Sequence, residues 1–257
     1  MTYQHIAVQQ DQGVATLTLN RPGTLNALNL ELAAEMIHCL DRLRDERKTR
    51  ALLITGAGRA FCSGTELSGG FPDDAGSLLE SHYNPLLERL LALQFPVVTA
   101  VNGPAAGAGC SLALAADIVV AARSAYFLQA FVNIGLVPDV GSTWMLPRLA
   151  GRARAQAMMM LGERIPAEQA ERWGLIYKVV DDDALAGESQ ALAKKLANGP
   201  TRVYALIRQA LRESLQCSLT ESLRIERENQ MIAGRTSDFA EGVAAFLARR
   251  PAAFKGQ

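Results

Sequence analysis

Apolar and polar side chains alternate over residues 5–8 and 14–19, which predicts two strands, and Asp11-Gln12-Gly13 between them supplies a hairpin turn. Leu32, Met36, Cys39, Leu40 and Leu43 recur at helical spacing, so 30–47 reads as an amphipathic helix with Asn29 as its N-cap. Continuous apolar runs follow at 51–56, 96–101 and 118–121, each of a length that suits a strand buried on both faces. Helical patterns at 83–93 and 112–116 lie between these runs, and 125–127 reads as a further short strand. Strands and helices alternating in this way predict an α/β fold built on a parallel or mixed sheet with crossover helices.

The pattern changes after Pro147. Segments 152–161, 167–173, 183–197, 201–215, 219–232 and 237–248 all read as helices, and only 176–180 interrupts them. Apolar stripes on so many consecutive helices cannot be buried in one layer, so this tail is expected to pack on the core or on a neighbouring subunit. Residues 68–81, rich in Gly, Pro, Asp and Ser, read as a mobile loop beside a pocket.

Composition narrows the function classes. Lys plus Arg and Asp plus Glu both number 26, so no global field favours nucleic acid or a membrane surface. No apolar run reaches the ~20 residues of a spanning helix, and the N-terminus lacks a basic-then-apolar leader, so a cytoplasmic protein is expected. Cys39, Cys62, Cys110 and Cys217 form no C-x-x-C pair, and with His5, His38 and His82 they show no metal spacing. Reduced, structural thiols are expected. Cys62 and Cys110 lie in Gly-rich loops, but neither has a neighbouring His to activate it as a nucleophile.

Three stretches carry candidate chemistry. The first, Asn102 to Asp117, joins an apolar strand to a helix through a bare loop. Small residues there let a ligand approach the main chain, and the first N–H groups of a helix lack internal partners. Its Gly107-Ala108-Gly109-Cys110-Ser111-Leu112 fails the dinucleotide fingerprint because Leu112 stands where the third Gly is needed. Close helix-to-sheet packing through small residues explains the loop equally well. The second stretch, residues 60–67, also follows a buried strand, so two loops at one sheet edge could aim two N–H groups at one carbonyl oxygen. The third is Asp139, within Gly135-Leu136-Val137-Pro138-Asp139-Val140-Gly141. It reads either as a helix cap or as a carboxylate base whose apolar surroundings raise its pKa. Glu66 is a lesser acid candidate. Asp73, Asp74 and Asp181 to Asp183 read as solvated loop charges, and Trp144 and Trp173 as core anchors. Ser63, Ser111 and Ser142 lack a G-x-S-x-G elbow, which disfavours a serine hydrolase.

Taken together, Asn20-Arg21-Pro22 with Leu25-Asn26-Ala27-Leu28, Ala60-Phe61-Cys62-Ser63-Gly64, Val101-Asn102-Gly103 with Gly107-Ala108-Gly109, Ala116-Asp117-Ile118 and Gly135-Leu136-Val137-Pro138-Asp139 resemble the crotonase (enoyl-CoA hydratase/isomerase) superfamily. The resemblance runs from about Tyr3 to Phe254-Lys255. It implies a ββα spiral core at 1–195 and a C-terminal helical region at 196–257 that builds a homotrimer or a dimer of trimers. It also implies an acyl-CoA thioester substrate, with coenzyme A carried on the substrate and no metal or other cofactor. The oxyanion-hole amides transfer onto Thr65 and Ala108. Arg21, Leu25, Ala27, Ala60, Cys62, Ser63, Gly64, Gly107, Gly109, Ser111 and Phe131 would contact CoA or acyl group, and Phe254 and Lys255 would reach a neighbour's CoA.

The two hydratase glutamates of the family fall here on Ser111 and Phe131, which leaves Asp139 as the acid. The text from Phe131 to Arg154 is similar to the branch that isomerises ring-1,2-epoxyphenylacetyl-CoA in bacterial phenylacetate breakdown and also shifts 3-enoyl-CoA double bonds to position 2. An acyl-CoA isomerase with Asp139 as base and acid is therefore the expectation. An enoyl-CoA hydratase and a non-catalytic acyl-CoA-binding subunit are the alternatives.

Overall fold

The computed structural model describes residues 2–68 and 74–257. Residues 69–73, part of the expected 68–81 loop and including Asp73, lie outside the described residues. In chain order the elements begin with β1 (Ile6–Asp11), β2 (Val14–Leu19), α1 (Leu30–Glu46), β3 (Ala51–Gly56), α2 (Ala75–Leu78), α3 (Asn84–Ala92) and β4 (Val97–Val101). There follow β5 (Ala105–Ala106), α4 (Ala108–Leu114), β6 (Ile118–Ala122), β7 (Tyr126–Leu128), α5 (Ser142–Ala150), α6 (Arg152–Leu161), β8 (Ile165–Pro166), α7 (Ala167–Arg172) and β9 (Lys178–Val180). Four helices close the chain: α8 (Leu185–Ala197), α9 (Thr201–Ser214), α10 (Leu219–Ala233) and α11 (Ser237–Leu247).

Six strands form the main sheet in the order β1-β2-β3-β4-β6-β9. Only the β1–β2 hairpin is antiparallel; the other four pairings are parallel. The parallel strands are buried through most of their length, as their continuous apolar runs require, and α1 presents Leu32, Met36, Cys39, Leu40 and Leu43 to the core. The Asn29 side chain accepts from Leu32 N–H at 2.9 Å, as expected of an N-cap.

A second sheet, β5-β7-β8, was not among the sequence expectations. Its strands are two or three residues long, too short for an alternation to register. Residues 79–83 also depart from a simple loop, because they form a π-helical turn that carries the chain into α3. Two further expectations change. Trp144 and Trp173 are half-buried at the core's edge and stacked under Arg148 and Arg154 rather than enclosed. Asp181 and Asp182 are exposed but bonded, Asp181 to Arg123 at 2.9 Å and Asp182 to Ser124 N–H at 3.0 Å.

The C-terminal helices tie to the core at two places. Arg208 of α9, almost fully buried, bonds Asp117 at 2.8 Å and the Phe95 carbonyl at 3.0 Å, with Leu93 O as a third partner. The tail is laced back on its own chain: Asp238 accepts from Lys255 and Gly256 N–H at 2.7 Å each, and Arg50 donates to Phe254 O at 3.2 Å. Much apolar surface remains uncovered on α9, α10 and α11, including Leu211, Leu219, Leu223, Phe246 and Leu247. No described helix is long and apolar enough to cross a membrane.

Candidate active site

The loops that follow β3 and β4 leave the same edge of the sheet because the two strands are neighbours and parallel. They then bond to each other. Phe61 and Cys62 N–H both donate to Pro104 O at 3.1 Å, and Ala106 N–H donates to Cys62 O at 2.9 Å. The buried Asn26 amide donates to Ala57 O at 2.9 Å and Ala60 O at 2.8 Å, clamping the loop after β2 onto the same assembly. Asn102 adds a bond to Gly58 O at 2.9 Å.

Close approach at this junction depends on glycine. A Cβ on Gly109 would lie 2.4 Å from Cys62 O and 2.7 Å from its sulfur, and Gly64 holds φ of +101° with Ala106 O 2.9 Å from a built Cβ. Bare backbone therefore sets the distance between the two loops.

The direction of the Thr65 N–H follows from strand geometry. Leu28 N–H donates to Gly64 O and Glu66 N–H donates to Leu28 O, both at 2.8 Å, so the intervening Thr65 N–H faces the other way. Ala108 is the first residue of α4, and its N–H has no partner within the helix. Thr65 and Ala108 line one cavity of ≈ 290 Å³ together with Ser63, Gly64, Gly107, Phe131, Tyr83 and Asp139. Leu67, Leu78, Leu79, Ile134, Leu136 and Val137 make the rest of the wall largely apolar.

Asp139 does not cap α5. Gly141 holds the N-cap position, with no side-chain cap bond, and Oδ1 of Asp139 is buried with no hydrogen-bond partner among the described residues. Burial pushes its carboxyl up to about 6, opposed only by a bond from its own backbone. The turn behind it is strained: Val140, a β-branched residue, holds φ of +46° and Gly141 +75°. Buried hydroxyls brace that turn. Ser111 Oγ donates to Asp139 O at 3.1 Å and meets Ser142 Oγ at 2.5 Å, and Gln129 donates to Ser142 Oγ at 3.1 Å.

The other expected site residues divide. Ser63, Gly64, Gly107 and Phe131 line the cavity, with Gly109 directly behind its rim. Ser111 does not line it: its side chain is fully buried behind Asp139, so the expected substrate contact becomes a support. Ala60 and Cys62 are fully buried as well and offer no side chain to a ligand. Arg21 is engaged by Glu66 at 2.7 Å and Ala27 O at 2.6 Å, while Leu25 holds a left-handed turn beside Asn26. Glu66 is thereby kept below the usual carboxylate range, first by Arg21 and then by Ser68, and it is absent from the cavity lining. Phe254 and Lys255 stand at the tail, away from their own chain's cavity wall. Tyr83, which in the sequence reads as one apolar position of a helix, also lines the cavity.

Neither loop cysteine has nucleophile character, since burial pushes Cys62 and Cys110 up to about 12 each. Of the four thiols only Cys217 is partly exposed. Ellman titration of the native protein is expected to count one fast thiol, and two or more would contradict this burial. Among the described residues no group of His, Cys, Asp and Glu side chains is placed to hold a metal ion.

Two backbone donors facing one apolar cavity that also holds a raised carboxylate form a site for a polarised carbonyl with an acidic neighbouring C–H. The enoyl-CoA hydratase/isomerase family model matches residues 9–257. The chain belongs to this family. It is 49% identical over 253 residues to the 1,2-epoxyphenylacetyl-CoA isomerase of Escherichia coli, covering 96% of this chain and 97% of that one. It is also 44% identical over 259 residues to a probable enoyl-CoA hydratase of Rhodobacter capsulatus, with 100% of both chains covered. The crystal structure of an enoyl-CoA hydratase from Bacillus anthracis superimposes with a TM-score of 0.94 at 32% identity, covering 99% of this chain and 100% of that one. The fold is thus the α/β crotonase fold with two mixed sheets and C-terminal helices, and the protein is an enzyme of the acyl-CoA isomerase/hydratase type.

Proposed function

We propose that the protein is an acyl-CoA isomerase in which Asp139 removes a proton from C2 of the thioester and returns it at C4. Electron density released at C2 passes to the thioester oxygen, which the Thr65 and Ala108 N–H groups stabilise, and a 3-enoyl chain becomes a 2-enoyl chain. The carboxylate is regenerated in the second transfer, so no cofactor beyond the substrate's own CoA is required. One observation carries this reading: among the described residues Asp139 is the sole carboxylate lining the cavity, and its Oδ1 is unpartnered. Addition of water by a pair of carboxylates is disfavoured, because Ser111 is a hydroxyl behind the wall and Glu66 is held by Arg21.

The 49% identity to an epoxyphenylacetyl-CoA isomerase supports a ring-epoxide thioester as the preferred substrate, beside simple 3-enoyl-CoA esters. Ser63, Gly64, Gly107 and Phe131 would then bound the thioester end, with the loop around Arg21, Leu25 and Ala27 bordering the CoA groove. We read 1–195 as the catalytic core and 196–257 as the part that joins subunits. The exposed apolar faces of α9 to α11 and the ≈ 520 Å³ groove between α9 and α10 support a homotrimer or a dimer of trimers. A cytoplasmic location fits a CoA-ester substrate.

The purified chain is to be assayed with 3-hexenoyl-CoA, crotonyl-CoA and ring-1,2-epoxyphenylacetyl-CoA. Isomerisation of the first and third with little hydration of the second is expected. A 3-hydroxyacyl product formed from crotonyl-CoA as the dominant activity would make the protein a hydratase, and no C2 exchange in deuterium oxide with any ester would make it a binding subunit.

A further inference from the structure

Tyr83 lines the cavity at its Thr65 side, yet the isomerase reading gives it no task. It is 3% exposed, and among the described residues its hydroxyl stands beside the Thr65 hydroxyl and 3.4 Å from Leu28 O. That is longer than an ordinary O–H···O bond, and Leu28 O already accepts from Glu66 N–H at 2.8 Å. The phenol is therefore a buried donor whose backbone partner is already satisfied and whose other neighbour, the Thr65 hydroxyl, can itself turn, so redirecting it to another acceptor costs little. Its delivery is specific. The π-helical turn Leu79–Tyr83 ends on this residue, and such turns cost regular helical bonding and recur where a side chain must be re-aimed. Leu78 and Leu79 from the same segment are apolar wall, so Tyr83 is the one phenol on an otherwise hydrocarbon side of the cavity. Burial raises the Tyr83 pKa; the Thr65 hydroxyl opposes this and the Asp139 charge adds to it, which keeps the phenol a donor throughout the neutral range.

We propose that Tyr83 is a specificity-determining residue whose hydroxyl donates a hydrogen bond to an oxygen carried on C3 of the acyl group, so that the site favours C3-oxygenated acyl-CoA thioesters over plain hydrocarbon chains. The position fits because the hydroxyl stands beside Thr65, whose N–H faces the thioester oxygen in the isomerase reading, and C3 lies two carbons from that carbonyl. A ring-1,2-epoxide of a phenylacetyl thioester bears its oxygen on this carbon. The assignment rests on the isomerase reading for its catalytic consequence but not for its binding consequence.

Two arms test it with the full chain and Tyr83→Phe, which keeps the ring and its packing. In calorimetric titrations the wild type is expected to bind 3-hydroxyhexanoyl-CoA about tenfold more tightly than hexanoyl-CoA, and Tyr83→Phe to lose that preference. In turnover, the loss of kcat/KM in Tyr83→Phe should be about tenfold greater for ring-1,2-epoxyphenylacetyl-CoA than for 3-hexenoyl-CoA. An equal loss on both esters, or no loss on either, together with an unchanged binding preference, overturns the assignment. Failure of the wild type to isomerise any ester removes the isomerase reading alone, because the binding arm still decides for or against Tyr83.

Discussion

Asp139→Asn is expected to lower kcat for 3-hexenoyl-CoA isomerisation by about 10²- to 10⁴-fold, the range general acid–base catalysis supplies. The affinity for the CoA ester should stay within a few-fold, because asparagine keeps the size of the side chain and both backbone donors are untouched. Stopped-flow turnover beside a binding titration separates the two effects, and substantial retained turnover would move the proton transfer to another group. The pH profile offers a second check. Burial raises the Asp139 pKa to about 6, so the base form, and with it kcat/KM, should grow as pH passes upward through about 6. Stability carries the opposite sign. A carboxyl whose folded pKa is raised binds its proton more tightly in the folded state, so its contribution is most favourable at low pH and is lost as pH rises from about 4 to 6. Asp139→Asn should therefore be more stable to unfolding than wild type at pH 7, by no more than about 3 kcal/mol, and the difference should vanish below about pH 4. A melting difference independent of pH would show that the carboxylate's desolvation is not its cause.

Gly109→Ala is expected to disable the site from the other side. The added Cβ would fall 2.4 Å from Cys62 O and 2.7 Å from Cys62 Cβ, contacts that only backbone movement can relieve. Movement of α4 away from the 60–65 loop separates the Ala108 and Thr65 N–H groups, and loss of one such donor costs about 10²- to 10³-fold in kcat. A stability loss of about 1–3 kcal/mol should accompany it, as for overpacking elsewhere. Comparing kcat with the affinity for an enolate-mimicking CoA ester tests the cause. If the donors have separated, the variant loses the mimic's advantage over the plain ester; if that advantage survives, the loss is merely one of packing.

Both variants act where stretches far apart in the sequence meet in space. In the sequence Asp139 stands out by its apolar neighbours yet reads equally as a helix cap, and only the fold assigns the cap position to Gly141. The hydroxyl at Ser111 marked a departure from a two-acid site. That it braces the Asp139 carbonyl together with Ser142 emerged only from contacts spanning about thirty residues of chain. Glu66 looked available in the sequence, and the Arg21 guanidinium forty-five residues away withdraws it.

The sequence alone determined the strands of the main sheet, the amphipathic helices and the two glycine-rich loops, because each has a local signature: a period of two, a period of 3.6, or a run of residues lacking side chains. That those loops share an edge was only a possibility in the sequence, and it rests on the parallel pairing of β3 with β4. Tertiary structure decided the rest. The β5-β7-β8 sheet has strands too short to show a period, and Tyr83 reads as one more apolar helical position until a π-helical turn places it on the cavity wall. The tail at Phe254 and Lys255 is folded back through Asp238 and Arg50, partners that no local pattern names. Periodicity reports on neighbours in the chain, whereas a carboxylate's pKa, a donor's spare bond and a loop's separation depend on neighbours in space.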